Sequence, residues 1–77
     1  MDKSSIGINA GRVWQKLSES NKRWEYEELK HALGLADRDL NAAIGWLARE
    51  DKIQFYEDKA GHKDYLYLEI NYYRDIQ

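Results

Sequence analysis

The chain has no cysteine and no proline. Without cysteine there is neither a disulfide framework nor a thiolate metal site, so the cytoplasm is the expected location. Without proline no turn has its φ set by a ring. Long apolar runs are missing as well: nothing approaches the roughly 18 residues that span a bilayer. The opening "MDKSSIGINAG" lacks the apolar stretch of a signal peptide. An excess of positive charge is also absent, for the net charge is −2.

What remains suits one small core. The 77 residues are 43% apolar and 34% charged, which reads as a single domain over 1–77 with loose ends at 1–4 and 74–77. A domain of this size, with no disulfide or metal, must rely on its own packing or borrow surface from a partner chain. Three Trp and six Tyr help, because each buries a large area.

Ile6, Ala10, Val13, Trp14 and Leu17 recur at helical steps and predict an inward face, with Arg12, Gln15, Lys16 and Glu19 opposite. Ser5 and Asn9 both suit the cap of this helix. Gly7 and Gly11 weaken it by about 1 kcal/mol each if they lie in its interior, which close approach by another backbone would offset. After the polar "SESNKR", "RWEY" allows a short strand around Trp24. "YEELKHALG" predicts a second helix that turns Tyr26, Leu29 and Leu33 inward and stops at Gly34. Asp37 is the expected cap of a third helix running to about Glu50, with Leu40, Ala43, Ile44 and Leu47 inward.

The period then changes to two. "KIQFYE" places Ile53 and Phe55 on one face, and "DKAGHK" is a turn in which Gly61 is available for a positive φ. "DYLYLEI" sets Leu66, Leu68 and Ile70 against Tyr65, Tyr67 and Glu69, and the two strands pair as a hairpin. The tail "NYYRDIQ" has Tyr72, Tyr73 and Ile76 available to dock.

Helix, short strand, helix, tight turn, helix and hairpin form an α+β winged helix-turn-helix: three helices with a small antiparallel sheet. Through "IGINAGRVWQKL" and "DLNAAIGWLAREDKI" the chain also resembles small stand-alone prokaryotic winged helix domains of uncharacterised function. The resemblance runs from near the start into the first strand of the wing. It implies the fold directly and a DNA-related role by analogy alone.

In a DNA-reading winged helix the third helix enters the major groove. Arg38 suits guanine and Asn41 suits adenine, with Arg49 nearby and Lys59, His62 and Lys63 in the wing. Charge argues the other way. From Asp37 to Asp51, Arg38 and Arg49 face Asp37, Asp39, Glu50 and Asp51, and the wing cations are balanced by Glu57, Asp58 and Asp64. Phosphate binding needs a basic footprint that this helix and wing lack. The first 23 residues are net positive through Lys3, Arg12, Lys16, Lys22 and Arg23, against Asp2 and Glu19. A solvated polar face explains that run better than a phosphate patch does.

Trp46 admits two readings. Either it folds over the hairpin and completes the core, or it is an exposed anchor beside Ala42 and Gly45, in a patch suited to a protein partner or a two-fold homodimer. Tyr65 and Tyr67, on the outer face of the hairpin, serve such a surface or stack on bases, although tyrosine is also a good strand former.

Catalysis lacks a constellation. His31 and His62 fall in different elements without metal spacing, and Glu25, Glu27 and Glu28 sit where a helix start favours negative charge. The expectation is a non-enzymatic protein with no cofactor, metal, membrane segment or small-molecule substrate. Its partner is duplex DNA or a second copy of itself.

Overall fold

The computed structural model describes residues 1–20 and 22–68. The first helix, α1, spans Lys3–Glu19. Its cap is Asp2 rather than Ser5 or Asn9. The Asp2 carboxylate accepts from the Ser5 backbone N–H at 2.8 Å, and the Ser5 hydroxyl accepts from the Asp2 N–H at 3.0 Å. Ser5 is therefore the returning half of a capping box, and Lys3 and Ser4 are already helical. Ala10, Val13 and Leu17 are buried, whereas Trp14, expected inward, is 42% exposed. It lies one position past the stripe, at the lip of the core.

A two-residue strand, β1 (Trp24–Glu25), runs into α2 (Tyr26–Leu33). Glu25 caps α2 by accepting from Glu27 N at 3.1 Å and Glu28 N at 3.3 Å. Gly34 ends it at φ 68, donating to the Lys30 carbonyl at 2.9 Å. Only glycine enters that left-handed region without strain.

The third helix, α3, spans Asp37–Arg49, and its cap is Ala36, which has no side chain to offer. Asp37, expected there, is instead the first helical residue and is engaged by α2. Leu40, Ala43 and Leu47 are buried, with Ile44 partly so. After α3 the chain reverses through Asp51, at φ 59, and Lys52 N donates to the Leu47 carbonyl at 2.9 Å.

Strands β2 (Gln54–Asp58) and β3 (Lys63–Tyr67) form the hairpin, and β1 adds to the other side of β3. The sheet order is β1-β3-β2, antiparallel throughout, with Trp24 opposite Leu66 and Phe55 opposite Leu66 on the far side. Leu66, in the central strand, is fully buried under the helices together with Leu17, Leu29, Leu40 and Val13. Phe55 shares that sheet face yet is 53% exposed. The expected alternation is correct, but β2 is the edge strand and the helices scarcely reach over it; Ile53, just before β2, is the buried member of the pair.

Gly61 also differs from expectation. Its φ is not positive; the left-handed residue of the turn is His62, at φ 55. Glycine is needed at 61 for space, since a Cβ there would stand 2.8 Å from Oδ2 of Asp58, whose other oxygen accepts from Gly61 N at 3.2 Å. The readings placed on Glu69, Ile70, Tyr72, Tyr73 and Ile76 fall outside the described residues.

Candidate functional site

Two surfaces carry the residues singled out above. The first is the outer side of α3. Arg38, Ala42, Gly45 and Arg49 recur at steps of four, three and four, so they form one stripe along the helix. Both arginines and Gly45 are exposed and Ala42 is half-buried. Nothing among the described residues lies within 4 Å of where a Cβ of Gly45 would stand. Arg38 has only a long contact with Asp39, at 3.9 Å.

The acidic start of α3 is partly neutralised from α2. Lys30 Nζ sits 3.0 Å from Asp37 Oδ1, and the Tyr26 hydroxyl is 3.0 Å from the same oxygen. The Lys30 ammonium, and after it the Tyr26 hydroxyl, hold the Asp37 carboxyl below its ordinary pKa, and Asp37 raises that of Lys30. Burial first, then the bond to Asp37 and its charge, push Tyr26 up to about 12.

Asn41 completes this clamp, with Oδ1 2.8 Å from the Tyr26 hydroxyl. A phenol has one proton and a carboxylate can only accept, so the proton goes to Asp37. The Asn41 amide then fits best when turned to donate to the phenol oxygen. Its side chain, read from the sequence as a base contact, is thus tied to α2, and pairing with adenine would cost that bond.

The hairpin projects beside α3 with Lys59, His62 and Lys63 exposed at its tip. Two helices at a tight turn followed by a hairpin are the outline of a known domain, and the winged helix-turn-helix domain family DUF2582 matches residues 1–68. The chain belongs to this family. No curated protein matches it.

In this winged helix-turn-helix the basic residues near the N-terminus are mostly engaged within the fold. Arg12 Nη2 donates to the Leu33 carbonyl at 2.7 Å, Lys16 pairs with Glu19 at 3.4 Å, and Lys22 pairs with Glu28 at 2.8 Å. Lys22 also lies 4.1 Å over the Trp24 ring. Arg23 stands 4.8 Å from the ring centre of Tyr56 and 5.0 Å from that of Tyr67. The outer face of the wing sheet is therefore a cation–aromatic cluster, with Tyr65 tilted against Tyr56 at 6.1 Å. Tyr65 and Tyr67 were legible from their alternation. Tyr56 and Arg23 were missed, since Arg23 arrives from the loop before β1.

The second surface lies between α1 and α3. Trp46 neither covers the hairpin nor stands clear of the fold: it is 40% exposed and its ring rests on Gly7 of α1. The close approach expected at Gly7 is thus made by a side chain rather than a backbone. Gly7, Gly11, Trp14, Trp46 and Leu47 line an open groove of about 240 Å³. Ile8, beside it, is 64% exposed. Sequence periodicity hid this groove, because it counted Trp14 as core and gave Ile8 no role.

Among the described residues, no group of three or more His, Asp or Glu gathers to hold a metal, and no helix is long and apolar enough to cross a membrane.

Proposed function

We propose that the domain is a non-enzymatic, transcription-related module that contacts duplex DNA through α3 and the wing. The carrying observation is the stripe Arg38, Ala42, Gly45 and Arg49. Its small central residues let a helix settle deep into a major groove. Its two arginines, about 16 Å apart along the axis at 1.5 Å per residue, reach phosphates on either side of a groove about 12 Å wide. Lys59, His62 and Lys63 give the wing a further contact. Lys30 lowers the electrostatic cost by engaging Asp37.

This reading predicts weak binding by a single domain. With Arg38, Arg49, Lys59 and Lys63 as the phosphate cations, the slope of log affinity against log salt is at most about −4. The test is fluorescence anisotropy with a mixed-sequence duplex at low and physiological salt. Arg38→Ala is expected to flatten the slope by about one unit. Binding that ignores salt, or that ignores Arg38→Ala, sinks the reading.

A second reading, docking of protein, is favoured by the exposure of Trp46 beside Ala42 and Gly45. On that reading Trp46→Ala abolishes an association that Arg38→Ala leaves intact.

A further inference from the structure

Three observations single out the open face of α1. Ile8 is 64% exposed and Trp14 is 42% exposed, on either side of a strip whose middle is Gly11. Gly11 costs the helix about 1 kcal/mol relative to alanine. Yet nothing among the described residues lies within 4 Å of where its Cβ would stand. The fold's own packing therefore gives no reason for a glycine there.

Charge along the strip indicates what covers it. Lys3 and Glu19, at opposite ends of α1, stand equal distances from Gly11 in sequence, as do Ile8 and Trp14. When two copies of α1 are laid antiparallel about a two-fold axis through Gly11, position 11 meets itself. Each Ile8 then meets the other copy's Trp14, and each Lys3 meets the other copy's Glu19. Lys3 makes no ion pair among the described residues, and Glu19 is exposed, with only Lys16 at 3.4 Å.

We propose that this face is a homodimer interface: a second copy of the chain, antiparallel across α1, with Gly11 at the crossing point. The glycine lets the two helices approach more closely than the usual 8–10 Å. Ile8 of one copy enters the groove of the other between Trp14 and Trp46, over the bare backbone of Gly7 and Gly11. The two-fold axis makes every contact twice. Glu50 and Lys52, at the rim of the groove, pair with each other at 3.7 Å and bring no net charge to it. One helix face of about 25 Å is a short contact, below the roughly 800 Å² per partner of a stable interface unless Trp46 contributes. The dimer is therefore one that dissociates on dilution. The inference does not rest on the DNA reading, since a dimer indifferent to DNA upholds it.

The test is sedimentation velocity of the full chain over a wide concentration range. The mass is expected to move from one chain to two, and Ile8→Glu to hold it at one with unchanged helicity by circular dichroism. Lys3→Glu and Glu19→Lys should each weaken the dimer by about three- to tenfold, and the two together should restore it to within about twofold of the original. Positions 3 and 19 of one helix are about 24 Å apart, too far to interact within a chain at ordinary salt. Rescue by the double reversal can then come only from a partner. A single-chain mass at every concentration overturns the proposal, as does a double reversal no tighter than the single ones. If Ile8→Glu loses helicity, the charge-reversal series decides by itself.

Discussion

The Trp46 indole lies flat against Gly7: a Cβ at residue 7 would stand 3.6 Å from Cη2 and 3.7 Å from Cζ2. This contact sets how α3 sits beside α1, and it occupies the space that a side chain on α1 would fill.

Those distances are ordinary van der Waals contact, so Gly7→Ala needs no rearrangement. It is expected to stabilise the domain by up to about 1 kcal/mol through helix propensity. Gly7→Leu must displace the indole and is expected to cost about 1–3 kcal/mol. Urea denaturation of the two variants checks both signs; a loss on Gly7→Ala would mean the ring cannot tolerate even a methyl group.

Arg12 joins α1 to the end of α2 through its 2.7 Å bond to the Leu33 carbonyl. The carbonyl belongs to the last turn of a helix, where acceptors lack intrahelical donors and the dipole favours a cation. Arg12→Met keeps most of the stem and removes the donor. It is expected to cost about 1–2 kcal/mol, read as a lower urea midpoint with an unchanged slope.

Gly61→Ala places a methyl group 2.8 Å from Asp58 Oδ2. The carboxylate must swing away, which breaks its bond to the Gly61 N–H. A cost of about 1 kcal/mol is expected, confined to the hairpin. Hydrogen exchange should accelerate at the wing tip and leave the helices protected.

The clamp of Tyr26, Lys30 and Asp37 predicts two pH limbs. Tyr26 moves from 10.0 to about 12 in the fold. A raised value means the folded state holds the proton more tightly, so its contribution is full below pH 10.0 and is lost as pH rises through about 12. Lys30 is also raised and acts in the same direction, its contribution falling away as pH rises through its folded value. Asp37 is lowered, so its contribution is present above its ordinary 3.8 and is lost as pH falls through the folded value. Midpoints of urea unfolding across pH should show Tyr26→Phe flattening the alkaline limb and Asp37→Asn the acid one. Unchanged limbs would place both shifts elsewhere.

The three helices and the hairpin were legible because Leu40, Ala43 and Leu47, or Leu66 between tyrosines, repeat with the period of their element. Caps were less so. Asp2, Ser5 and Asn9 are all competent acceptors, and only backbone geometry separates them. Asp37 looked like a cap and proved to be the partner of Lys30, because Ala36 has the extended backbone of that position without the side chain. Phe55 shows a different limit: alternation tells which face of a sheet a residue occupies, not how far the helices extend over that face. At the site, spacing placed Arg38 and Arg49 on one stripe but could not show that Asn41 is tied to Tyr26. Nor could it show that Trp46 faces α1, since both depend on how two helices cross.

The pairing of Trp24 with Leu66 bears on the order in which the chain folds. The contacts within each helix and within the hairpin are local, and such elements form in about a microsecond to ten. The ladder between β1 and β3 closes a loop that holds α2, α3 and β2, and that closure gains nothing until β3 is in place. During synthesis the helices therefore emerge with the underside of their core uncovered. The two residues of β1 wait for Leu66 to leave the ribosome, and the domain becomes a single cooperative unit only at that step.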